Sequence, residues 1–145
     1  MATATIKAQL IGAWSLESFI QEDESGNVSY PFGGQAQGII MYTPDGYMSA
    51  QIMRGGAGGA YRGLPGTDYL AYSGAYHITA DEKMLLHRST VCNMPEWLGR
   101  EQERPVRIAG DLLYLDSNGP TLINGQWFTL KLVWKRNVFV DPELV

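Results

Sequence analysis

Two stretches at opposite ends of this chain match each other. Near the start, Gly12-Ala13-Trp14-Ser15-Leu16 sets a large ring at the head of an alternating run. Alternation places Trp14, Leu16, Ser18 and Ile20 on one face and Ser15, Glu17, Phe19 and Gln21 on the other. Near the end, Phe128, Leu130, Leu132, Trp134 and Arg136 share one face, with Lys131 and Lys135 outside. If the first and last strands pair, the sheet closes into a barrel without edges. Arg136 then lies over an indole, with Trp14 the natural candidate, and Trp14 plugs one end of the barrel. Gly12 allows a tight backbone turn just before that plug.

The residues between these stretches break into short runs separated by turn signals. Thr3 to Ile11 reads as a short helix whose Ile6, Leu10 and Ile11 cap the barrel bottom. Gly38–Thr43 and Tyr47–Arg54 form the clearest hairpin, joined by the three-residue loop Pro44-Asp45-Gly46. That register pairs Tyr42 with Met48 and turns Tyr42, Ile40, Met48, Ala50 and Ile52 inward. Gly55 to Gly66 has no periodicity and reads either as a surface loop or as a lid with Tyr61 and Leu64 as its apolar contacts. Thr67 is placed to cap a helical turn through Leu70. Tyr72, Gly74, Tyr76 and Ile78 then share one strand face, and Leu85, His87, Ser89 and Val91 share the next. From Arg100 to Ile108, Glu101, Glu103, Pro105 and Arg107 face solvent while Gln102, Arg104, Val106 and Ile108 face inward. The expected fold is all-β: one domain over residues 1–145, a closed antiparallel up-and-down barrel of about eight to ten strands with a short N-terminal helix.

This patterning gives the interior a polar cluster of Tyr42, Tyr76, His87, Gln102 and Arg104 among apolar residues. With the loop centred near Pro95-Glu96, His87 faces Arg104, Ser89 faces Gln102 and Leu85 faces Val106. An inward arginine is costly to bury alone, and no carboxylate is expected beside it. Either carbonyls, tyrosine hydroxyls and water satisfy Arg104, or it receives an anionic or carbonyl-bearing ligand. His87 is likewise either a satisfied core histidine or a ligand contact and general acid/base beside Tyr76. Trp97 and Met94 form either a pocket lip or a loop anchor.

Composition excludes several classes. Eleven basic against fifteen acidic residues give a net charge of −4, with no basic stripe to neutralise phosphates, so no nucleic-acid partner is expected. Apolar runs fall far short of the roughly 20 residues of a membrane span. Cys92 is the lone cysteine and reads as inert; no His/Cys group has zinc spacing, so no metal is expected. Gly55-Gly56-Ala57-Gly58-Gly59 lacks the Lys-Ser/Thr of a phosphate loop, no nucleophile elbow or paired-carboxylate motif is visible, and no cofactor is expected. The N-terminus lacks the basic start and apolar core of a secretory signal.

The chain resembles the calycin superfamily, and within it the bacterial and fungal lipocalin-like domain family. The resemblance rests on Gly12-Ala13-Trp14-Ser15-Leu16, the run from Gly38 to Ala50, Ala75-Tyr76, His87, Pro95-Glu96-Trp97-Leu98-Gly99, Gln102, Arg104 and Leu132-Val133-Trp134-Lys135-Arg136. It implies a lipocalin-like barrel with a small-molecule role. Secreted lipocalins commonly carry a disulfide, so the resemblance with a lone cysteine points to a cytoplasmic protein. The leading expectation is binding of a small hydrophobic molecule with a polar or anionic end, contacted by Tyr42, Met48, Tyr76, His87, Gln102, Arg104, Trp97 and Tyr61. The competing expectation is a cofactor-independent isomerase or cyclase using His87, Tyr76 and Arg104 as catalytic groups. A third is a filled barrel with an interaction role. The chain is also compatible with a homodimer.

Overall fold

The structure is a computed structural model that describes residues 4–55, 68–123 and 125–138. A single turn of helix, α1 (Ile6–Leu10), is capped by the Thr5 side chain, which accepts from the Ala8 amide. The strands follow as β1 (Gly12–Asp23), β2 (Val28–Ser29), β3 (Gln37–Tyr42), β4 (Tyr47–Met53), β5 (Tyr69–Ile78), β6 (Met84–Arg88), β7 (Val91–Cys92), β8 (Glu101–Ala109), β9 (Leu112–Asp116), β10 (Thr121–Ile123) and β11 (Gln126–Arg136). Eight of them, β1, β3, β4, β5, β6, β8, β9 and β11, pair antiparallel with their neighbours around a ring, and β1 pairs β11 to close it. β2, β7 and β10 are short additions to this barrel. No helix among the described residues is long and apolar enough to cross a membrane.

The matched ends meet as the alternation requires. Trp14 pairs with Arg136, and the guanidinium carbon lies 4.1 Å from the indole centroid. Trp14 is fully buried and its Nε1 donates to the Leu10 carbonyl at 2.9 Å. Arg136 donates to the carbonyls of Ile11 and Gln9, so one cation satisfies the helix end and covers the plug. Gly12 sits at φ +124°, outside the range comfortable for other residues. Arg136→Met should therefore lower stability by about 2 kcal/mol, read as a reduced urea midpoint with an unchanged slope. An unchanged midpoint would show that the guanidinium contributes nothing to the plug.

The β3–β4 hairpin has the expected register, with Tyr42 opposite Met48 and the Thr43 amide donating to the Tyr47 carbonyl. Ile40, Tyr42, Met48, Ala50 and Ile52 are all buried. Three sequence expectations are corrected. The pairing of β1 with β11 shifts between Leu16 and Ser18, leaving exposed Glu17 as the extra residue. This bulge swaps the faces, so Phe19 rather than Ile20 turns into the core. Tyr69 and Leu70 open β5 instead of ending a helical turn. Val91 does not continue the inward face of β6; it is 68% exposed, on a short strand that pairs with β5. Tyr61, Leu64 and most of the glycine-rich stretch lie outside the described residues, as does Phe139.

The β6–β8 register also differs, by two residues. His87 opposes Gln102, and Arg104 opposes Leu85. The cause is the connection. After Ser89 the chain leaves β6 to pair with β5, makes a 3₁₀ turn at Pro95–Trp97, and returns at Gly99, whose amide donates to the Ser89 carbonyl. A two-residue shift preserves which side chains face inward, so Gln102, Arg104 and Val106 keep the expected orientation.

Candidate functional site

The barrel interior holds one buried polar group of three rings. His87, on β6, is fully buried. Its Nε2 lies 2.8 Å from the Tyr42 hydroxyl on β3, and its Nδ1 lies 3.0 Å from the Tyr72 hydroxyl on β5. Burial and the nearby Arg104 cation hold its pKa down at about 3, so the imidazole is neutral. Burial pushes the phenols of Tyr42 and Tyr72 up, so both stay protonated; Arg104 partly offsets that push at each.

Proton accounting then orients the chain. A neutral imidazole has one N–H and one lone pair. One tyrosine donates to the lone pair, the other accepts the N–H, and one phenol proton is left over. Tyr42 has His87 as its hydrogen-bond partner and is fully enclosed, whereas Tyr72 lines a cavity. The arrangement that strands no buried proton has Tyr42 donating to Nε2 and Nδ1–H donating to Tyr72. The Tyr72 O–H is then free to donate into the cavity.

That cavity has a volume of about 30 Å³, and twelve of the described residues line it. Eight are apolar side chains such as Phe19, Ile40, Ile52 and Leu130. The other four are Tyr72, Trp97, Arg104 and Trp134; no carboxylate or side-chain amide is among the twelve. Trp97, half-buried in the 3₁₀ turn, meets Tyr72 edge-on with centroids 5.8 Å apart, and the Arg104 guanidinium carbon lies 5.9 Å from its ring centroid. Arg104 makes long hydrogen bonds, 3.4 Å to the Gln102 side-chain oxygen and 3.4 Å to the Glu103 carbonyl, and it also interacts with the Tyr72 hydroxyl oxygen. It is thus a half-buried cation whose acceptors, Gln102, the Glu103 carbonyl and Tyr72, are all neutral.

The structure brings most of the residues singled out by sequence together. Tyr42, His87, Gln102, Arg104 and Trp97 are linked through ring or hydrogen-bond contacts around Tyr72. Tyr76 pairs with His87 across β5 and β6 and its ring meets Tyr42 edge-on with centroids 5.1 Å apart, but its hydroxyl donates to the Thr43 carbonyl at 2.7 Å rather than to His87. Met48 is buried opposite Gly74 and does not line the cavity. Tyr72 and Trp134 complete the site without having been singled out. The signal was present, since alternation puts Tyr72 on the Tyr76 face and Trp134 on the Arg136 face. Their partners, however, come from distant strands. No cluster of three or more metal-ligating side chains occurs among the described residues.

The comparisons agree with this architecture. A family model described as a lipocalin-like domain matches residues 11–61 and 65–137. This chain belongs to the lipocalin-like domain family. A relative from Aspergillus oryzae, named 4'-hydroxy-3'-methoxypropiophenone carrier protein ppsC, is 34% identical over 107 residues, covering 61% of this chain and 96% of the relative.

Proposed function

We propose that this chain binds a small, largely apolar molecule inside the barrel and orients its polar end at Arg104 and Tyr72. The observation that carries the reading is the lining: apolar walls around one guanidinium and one phenol hydroxyl, with no carboxylate among the lining residues to neutralise the cation. Such a site takes an anion or a hydrogen-bond acceptor. The relative named as a carrier of a phenolic aryl ketone supports a cargo of this kind.

The cavity of about 30 Å³ has room for about two waters, whereas a benzene-sized ligand needs about 150 Å³. Loading is therefore coupled to an outward movement of side chains. Trp97 and Arg104 are the half-buried pair at the cavity, so they are the ones placed to swing. An isomerase or cyclase in the same cavity finds less support, because both ring nitrogens of His87 are engaged in hydrogen bonds within the protein.

Titration with 4'-hydroxy-3'-methoxypropiophenone, followed by calorimetry and by native mass spectrometry, tests the reading. A one-to-one complex is expected, weakened about 10- to 100-fold in Arg104→Met by loss of a charge-assisted hydrogen bond. Absence of binding by this ketone and by a panel of hydrophobic carboxylates and phenols would falsify it.

A further inference from the structure

Trp134 is only 1% exposed, and its indole Nε1 has no hydrogen-bond partner. The other plug-like indole, Trp14, donates to the Leu10 carbonyl. The contrast matters because a buried N–H without an acceptor loses its hydration and gains nothing in return, and native interiors seldom tolerate one. Trp134 enters from β11, opposite Leu16 on β1 and Leu113 on β9, and lines the same cavity as Arg104 and Tyr72.

The side-chain polar groups lining the cavity are thus all donors in excess. Arg104 and Trp134 can only donate, and in the proton arrangement given above the Tyr72 oxygen accepts the imidazole N–H and its O–H is left to donate. A cargo bearing only O–H or N–H donors would leave these groups unpaired and add its own.

We propose that the Trp134 indole N–H is a ligand-binding donor, so that the cargo presents to it a carbonyl or ether oxygen carrying no proton. This deepens the reading of the cavity as a carrier site and rests on it. Trp134 makes the site selective for the acceptor-bearing member of otherwise equal apolar skeletons. The apolar wall supplies the affinity that both members share.

The test uses two neutral probes of one skeleton, propiophenone and propylbenzene, with the whole protein. Calorimetry gives the two dissociation constants. The four tryptophans of the chain give four indole N–H resonances, assigned by single Trp→Phe variants. The ketone is expected to bind about tenfold tighter than the hydrocarbon and to shift the Trp134 indole resonance, which the hydrocarbon leaves in place. In Trp134→Phe the preference should fall several-fold, to what Arg104 and Tyr72 alone supply, with the ketone losing more affinity than the hydrocarbon.

If both probes bind equally, or if the ketone preference persists in Trp134→Phe with the Trp134 resonance unmoved, the proposal is overturned and the carrier reading stands. If neither probe binds, and the phenolic ketone does not either, both fail. The resonance in the unmodified protein decides the matter even if Trp134→Phe does not fold.

Discussion

Acidification from pH 6.5 to pH 4 should remove about 3 kcal/mol of stability through His87 alone. The folded-state pKa, about 3, lies below the ordinary 6.5. Above pH 6.5 both folded and unfolded chains carry a neutral imidazole, and the stability is fully present. Between pH 6.5 and 3 the unfolded chain takes up a proton that the folded chain refuses, and stability falls by about 1.4 kcal/mol per pH unit. Below pH 3 both forms are charged and the loss levels off, at about 5 kcal/mol in total. Domains commonly have only about 5–15 kcal/mol in hand, so this one side chain accounts for a large share of the acid sensitivity.

The physical cause is enclosure beside a cation. A protonated His87 would place a second positive charge near Arg104 with no carboxylate among the cavity residues, and its new N–H would meet the Tyr42 oxygen in place of a lone pair. His87→Gln keeps one donor and one acceptor but cannot titrate. Urea unfolding of both proteins at several values between pH 7.5 and 4 checks the point. The variant should start lower and then lose about 3 kcal/mol less than the parent over that range. Parallel pH curves for the two proteins would assign the acid sensitivity elsewhere.

Gly74→Ala should prevent folding or cost more than about 4 kcal/mol. Gly74 lies on β5 opposite Met48, where β6 gives way to β7. A Cβ there would stand 1.7 Å from the Arg88 carbonyl oxygen and 3.1 Å from the Thr90 amide nitrogen. Both are backbone atoms, so no rotamer relieves the clash. β5 would have to separate from the β6–β7 corner, which carries His87 and Ser89 and leads to the Trp97 turn. Gly46→Ala is the control: Gly46 sits at φ +98° in the β3–β4 turn with open space around it, so its penalty is backbone strain of about 1 kcal/mol. Equal thermal midpoints for the two variants would show that the corner yields.

The order and type of most strands were legible from alternation, because a half-buried strand needs only its own period of two to declare its faces. The β3–β4 register was legible too, since Pro44-Asp45-Gly46 is a local turn that ties Tyr42 to Met48 without outside help. The inward placement of Gln102, Arg104 and Trp134 followed from the same period. The β6–β8 register was not legible, since residues 90–98 spend their hydrogen bonds on β5 and on a 3₁₀ turn rather than on a simple hairpin.

By itself, then, the sequence determined the closed all-β architecture, the Trp14–Arg136 plug and the polar residues available to the interior. Each depends on periodicity or on residue type at the chain's own ends. Only the tertiary structure decided which of those polar residues meet. The bulge at Glu17 sends Phe19 inward, Tyr72 rather than Tyr76 completes the hydrogen bonds of His87, and the Trp134 indole is left without an acceptor. These contacts join residues on strands far apart in the chain. Their distances follow from how the strands stagger when the barrel closes, which no local pattern encodes.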